Sequence, residues 1–140
     1  MRVSDLARKA GTTTETVRHY TDIGLLQPAR DPNNGYRRYG NTDLRLLRFA
    51  LKARHLGFTL TDIQSLADAS RHGESPCGQV RMLIETRLEQ VETQISELKS
   101  LSQRMRTAMA EWQTSPDRRL DDGRVCGLID TFVDDTGRAG

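Results

Sequence analysis

Three groups of side chains in this sequence have types and spacings suited to chemistry. Thr14, Glu15, Arg18, His19 and Tyr20 crowd one short segment, and Tyr36-Arg37-Arg38-Tyr39 alternates rings with guanidinium groups. Guanidinium and phenol groups bind phosphate oxygens, while hydroxyl, carboxylate and imidazole groups reach base edges, so both segments suit recognition of a nucleic acid. The third group is Cys77 and Cys126, two soft sulfurs able to bind a heavy metal or react as thiols.

The elements that must carry these residues follow from the pattern. Val3, Leu6, Ala7 and Ala10 recur at helical spacing and Gly11 stops the run, so a first helix is expected. Thr12 or Thr13 can cap a second helix that turns Val17 inward and Glu15, Arg18 and His19 outward, with Gly24 at its end. Two short helices across a glycine turn make a helix-turn-helix, whose second member can enter the roughly 12 Å major groove. An ordinary helical hairpin would share that pattern. The segment after it favours the DNA-reading form: Asn33-Asn34-Gly35 is a turn, and residues 36–39 then read as a strand laying rings and charges beside the groove. Farther on, Asp43 to His55 reads as a helix, Gly57-Phe58 as a turn and Thr61 as the start of another helix with Ile63, Leu66 and Ala67 inward.

Charge is divided in the same way. Residues 1–60 hold 11 Lys or Arg against 5 Asp or Glu, and residues 61–140 hold 10 against 14, so a net charge of +2 conceals a strongly basic first half. A polyanionic partner accounts for that division. From Pro76 the pattern becomes a heptad: Ile84, Val91, Leu98, Met105 and Trp112 repeat every seven residues, Leu88, Ile95 and Met109 fill the second seam, and Ser102 interrupts it. Neither glycine nor proline occurs between Gln79 and Glu111. A helix of that size is about 50 Å long at ~1.5 Å per residue and cannot cover its own apolar stripe, which predicts a homodimer.

The spacing Thr16-Val17-Arg18-His19-Tyr20, Gly24-Leu25-Leu26, Pro28, Arg30, Gly35-Tyr36-Arg37-Arg38-Tyr39, Asp43, Leu47, Phe49, Leu56-Gly57-Phe58, Leu60 and Ile63 resembles the MerR family of bacterial transcriptional regulators over residues 1 to about 112. The resemblance implies a mainly α fold: a winged helix-turn-helix DNA-binding domain with connector helices at 1–75, then a long antiparallel coiled-coil dimerisation helix at 76–112. Residues 113–140 would supply a metal-binding loop, a short terminal helix and a tail. It also implies a second wing around Lys52, Arg54 and Gly57 on the DNA backbone. A symmetric dimer would then bend and untwist double-stranded operator DNA when an effector arrives, so that RNA polymerase engages the promoter. Arg18, Arg37, Arg38 and Arg54 are the expected phosphate contacts, with Thr14, Glu15 and His19 near base edges.

Antiparallel pairing would bring Cys77 of one chain toward Cys126 of the other. In metal-sensing members a cysteine at the head of the dimerisation helix marks sensors of divalent ions, so the implied effector is a heavy-metal ion such as Hg, Cd, Pb or Zn. Ser75 and Pro76 are expected as cap and first turn of the long helix, placing Cys77 where negative charge is favoured. The sequence departs from the pattern in lacking a first loop cysteine or a cysteine with histidine between Trp112 and Gly123. Two sulfurs alone suit Hg(II) or Cu(I), whereas Zn or Cd would want more, with Asp117, Asp121, Asp122 and His72 as candidates. A thiol-reactive or oxidant signal through the same cysteines is the alternative.

Enzymatic chemistry finds no support: no nucleophile has a base at useful spacing, no glycine-rich phosphate loop occurs, and the three histidines form no ligand repeat. No apolar run approaches the roughly 20 residues of a membrane span, and Met1 leads directly into an amphipathic helix, so a cytoplasmic protein without a membrane partner is expected. The tail from Asp134 to Gly140 has little to bury.

Overall fold

The computed structural model describes residues 1–117, 123 and 125–133; Asp121, Asp122 and the tail from Asp134 lie outside them. In chain order the elements are α1 (Val3–Ala10), α2 (Thr14–Asp22), β1 (Ala29–Arg30), β2 (Arg37–Arg38), α3 (Asn41–His55), α4 (Leu60–Arg71), α5 (Cys77–Trp112) and α6 (Gly127–Asp130). Two compact units result, Met1–Leu88 and Glu89–Gly140.

The first unit is the helix-turn-helix with its wing. Gly11 adopts φ 74°, which releases the Gly11 and Thr12 amides to close the end of α1 on Arg8 and Ala7. Of the two candidate caps it is Thr13 that starts α2, its Oγ1 accepting from the Thr16 amide at 3.2 Å. Val17 and Tyr20 then bury against Leu6 and Ala7 of α1, with Leu25, Leu26, Leu47, Ala50, Ile63 and Leu66 completing one core. Each of those leucines contributes about 1.5–3 kcal/mol on leaving water.

The wing is a two-residue ladder with Ala29 opposite Arg38 and Arg30 opposite Arg37. Asp31 and Gly35 close its turn through a 2.9 Å backbone bond, and Gly35 holds φ 71°, which a β-carbon would strain. The strand is shorter than residues 36–39, because Tyr39 leaves it for the core. Its backbone exchanges two 2.8 Å bonds with Met1, and its hydroxyl lies 2.8 Å from Thr21 Oγ1. Thr21 already donates its only proton to the Val17 carbonyl, so Tyr39 is the donor in that pair.

Three helix starts differ from those read in the sequence. The Gly40 amide bonds the Asp43 carboxylate at 2.9 Å, which lets α3 begin at Asn41 and not at Asp43. Likewise α4 begins at Leu60 and not at Thr61, with Thr59 as its cap: the Asp62 amide donates to Thr59 Oγ1 at 3.1 Å and the Thr59 amide to Asp62 Oδ2 at 3.0 Å. At α5, Pro76 sits before the helix and its carbonyl accepts from Val80 at 2.9 Å, so Cys77 and not Pro76 is the first helical residue.

The first turns of α5 belong to the head. Val80, Leu83 and Ile84 pack against its core, so Ile84, the first heptad residue, faces inward within this unit. Arg87 makes a two-pronged contact with Asp62, Nε to Oδ2 at 3.0 Å and Nη2 to Oδ1 at 3.1 Å. Asp62 is the one buried charged residue among those described. In the second unit the apolar stripe stands open, with Val91 and Ile95 each 46% exposed, Leu98 63%, Met105 58% and Met109 61%. Trp112 meets Phe132 edge to face at 6.3 Å.

The Asp62 carboxyl is held below its usual value of 3.8, first by the Arg87 hydrogen bond and then, against the cost of burial, by Thr59. A carboxylate depressed on folding contributes stability above its unfolded pKa and loses it as the pH falls through the folded value. Replacing Arg87 with methionine is therefore expected to destabilise the protein at pH 7, by an amount that shrinks below about pH 4. Urea unfolding of both proteins across that range checks this; a pH-independent difference would reassign the effect to packing.

Candidate nucleic-acid interface and thiol ligands

The first turns of α1 and α2 and the inner side of the wing enclose an open concavity of about 600 Å³. Arg2, Arg18, Arg30 and Arg37 line it with Ser4, Thr14 and Tyr36, and none of its described lining residues is acidic. Val3 and Ser4 from the start of α1 and Thr14 from the start of α2 are among its lining. The cluster of arginines repels itself and is stabilised by an anion. Arg30 and Arg37 are directly opposed across the ladder, an arrangement that costs stability between like charges.

Three of the four arginines are held in place by neighbours. The Arg2 guanidinium lies 5.8 Å from the Tyr36 ring centroid, a cation–π contact at an exposed ring. Arg30 Nη1 donates to the Gly35 carbonyl at 3.2 Å, and Arg37 Nη2 to Asp22 at 3.3 Å. Both contacts leave donors of the five-N–H fork for a phosphate.

The expected interface residues thus separate into four sets. Thr14, Arg18, Tyr36 and Arg37 come together in the concavity. Glu15 and His19 stand exposed on α2, and Lys52 and Arg54 on the last turns of α3, where Arg54 Nη1 ties the following turn through the Phe58 carbonyl at 2.9 Å. Arg38 faces a separate small concavity and pairs with Asp31 at 3.7 Å. Tyr20 and Tyr39 are packed in the core, 6% and 2% exposed, where they support α2 and the wing from beneath.

Arg2, Ser4 and Arg30 were not anticipated. Arg30 was accessible in principle, because a hairpin turning between Asp31 and Tyr36 pairs Arg30 with Arg37. Arg2 was not, since its place depends on the long-range pairing of Met1 with Tyr39.

Both cysteines are free thiols. Cys77 is exposed at the start of α5, in the first unit, and Cys126 is half-buried immediately before α6, in the second. Of the candidate extra ligands, His72 closes α4 with its Nδ1 2.7 Å from the Asp68 carbonyl, and Asp117 is exposed. No group of three or more His, Cys, Asp or Glu suited to a metal occurs among the described residues, so the sulfurs are the soft donors at hand. No helix among them is long and apolar enough to cross a membrane.

Comparison with known proteins agrees with this architecture. The family model described as MerR HTH family regulatory protein matches residues 1–70, and a second, MerR, DNA binding, matches residues 44–108. The transcriptional regulator HmrR of Rhizobium leguminosarum bv. viciae is 34% identical over 101 residues, covering 72% of this chain and 78% of its own. Among solved structures, PbrR691 from Ralstonia metallidurans CH34 in complex with lead(II) superposes with a TM-score of 0.72 at 30% identity, covering 93% and 97% of the two chains. HiNmlR, a MerR family regulator bound to promoter DNA, superposes at 0.53 with 29% identity over 81% and 86%. A winged helix-turn-helix head, a long helix with an open apolar stripe, and family matches that together span residues 1–108 establish that the chain belongs to the MerR family of helix-turn-helix transcriptional regulators.

Proposed function

We propose that this protein acts as a dimer on a pseudo-palindromic operator and switches transcription when a thiophilic heavy-metal ion binds its cysteines. The arginine-lined concavity carries the DNA half of this reading. Arg2, Arg18, Arg30 and Arg37 take phosphates there, Thr14, Glu15 and His19 approach base edges, and Lys52 and Arg54 form a second contact on the backbone. Arg38, tied to Asp31, contributes from the wing. The open stripe on α5 supports pairing of two chains, each long helix covering the other. The solved complex of HiNmlR with promoter DNA supports the choice of a duplex as partner.

For the effector, the lead(II) complex of PbrR691 supports a metal, and the donor chemistry of this chain supports a soft one. Cys77 of one chain and Cys126 of its partner would hold the ion, with Hg(II) the best match to two sulfurs and Cd, Pb or Zn requiring further donors. Bound there, the ion supplies a cross-link between chains. It biases the dimer only in so far as one arrangement binds it more tightly. That bias is spent on bending and untwisting the operator, which lets RNA polymerase engage the promoter.

Replacing Arg18 with alanine is expected to weaken binding to any duplex and to lower the slope of log K against log salt by about one unit. Titration at several salt concentrations measures it, and an unchanged slope removes Arg18 from the phosphate contacts. Glutamate at both Ile95 and Met105 should yield monomers in sedimentation experiments; a persistent dimer would mean that pairing uses another surface. Cys77→Ser and Cys126→Ser are each expected to abolish the transcriptional response to Hg(II) while leaving operator affinity within a few-fold. A response that survives either change rules out the two-sulfur site.

A further inference from the structure

The segment around Cys126 is too short to hold its own shape. The helix α6 has four residues, far below the ~12–15 at which an isolated helix becomes marginally stable. Its form rests on a few local bonds, most of them to Asp130. Asp130 Oδ2 accepts the backbone amide of Val125 at 2.9 Å and that of Cys126 at 3.0 Å, while the Asp130 amide donates back to the Cys126 carbonyl at 2.9 Å. One residue therefore engages both backbone polar groups of Cys126. Thr131 Oγ1 caps the turn on the Gly127 carbonyl, and Phe132, bonded through its amide to Ile129 at 3.1 Å, rests edge-on against Trp112 at the end of α5.

We propose that Asp130 is a positioning residue for Cys126: its carboxylate closes the backbone around the cysteine and so orients the sulfur for a metal ion. The inference rests on the assignment of Cys126 as a ligand. A carboxylate suits the task because bonds from two amides to a charged oxygen are shorter and stronger than neutral ones. It also brings a negative charge to the Cys126 backbone amide, which a cation held by the sulfur would meet as an outer partner. Groups that orient a ligand without touching the metal typically govern 10–100-fold of affinity. An alanine at 130 removes the acceptor and frees Val125 and Cys126; an asparagine keeps an acceptor oxygen and removes only the charge.

The test uses the full-length dimer with Asp130→Ala and Asp130→Asn. Amide hydrogen exchange is read by NMR on metal-free protein, and Hg(II) affinity by ultraviolet charge-transfer absorbance in competition with a monothiol. The expected result is faster exchange at Val125 and Cys126 in the alanine variant alone, with Hg(II) affinity falling about 10–100-fold in that variant and only a few-fold in the asparagine variant. Unchanged exchange, or unchanged affinity, in the alanine variant overturns the proposal. So does equal loss in both variants, which would make Asp130 a direct ligand. Failure of the ligand assignment looks different: wild-type protein and Cys126→Ser would then bind Hg(II) alike, whatever the exchange data show.

Discussion

One buried carboxylate joins the DNA-reading head to the long helix. Asp62 Oδ2 accepts the Thr59 amide that caps α4 and also the Arg87 Nε from α5, so the start of α4 and the path of α5 share a single oxygen. Desolvating a carboxylate is costly, and only a full set of partners makes it tolerable. Here Arg87 supplies two donors in the fork geometry that matches a carboxylate, and Thr59 supplies a third. The turn before Thr59 is the one that Arg54 closes on Phe58, so the second basic surface and the base of α5 are fixed by contiguous bonds.

The head gathers four arginines around one concavity, with only Arg37, among the described residues, paired there to a carboxylate, that of Asp22. Two of the four are opposed across a two-residue ladder, and the group sits beside the starts of two helices. Like charges so placed oppose one another, and the proposed contact with phosphate would relieve them, in accord with the division between a basic first half and an acidic second half. The buried tyrosines make this tolerable: Tyr39 anchors the wing to α2 through Thr21 and to Met1 through its backbone, so the charged face rests on a rigid support.

Beyond Leu88 the helix α5 leaves Val91, Ile95, Leu98, Met105 and Met109 exposed among the described residues of its unit. A stripe of that length in water favours association, and the proposed pairing would serve two ends together. It would bury the stripe and set the separation of two heads on one duplex, which for helix-turn-helix dimers is about one helical turn of DNA. Coupling a soft ion to that separation needs no large domain, only sulfur on elements that change position with the pairing.

What could be read from the residues alone was whatever local rules control. Helical spacing placed α1, α2 and α5, a turn-forming Asn33-Asn34-Gly35 placed the wing, and the count of charges assigned the basic half. Helix starts at Asn41 and Leu60 shifted because capping depends on which carboxylate turns back, and Asp43 and Asp62 did so. Long-range contacts decided the rest. Tyr20 and Tyr39 carry a polar tip and an apolar body, and whether such a ring meets water or core is settled by neighbours distant in sequence. Arg2 joins the concavity because Met1 pairs with Tyr39, and Ile84 turns to the head because Val80 and Leu83 flank it there. Periodicity fixes which residues share a face; only packing determines what that face meets.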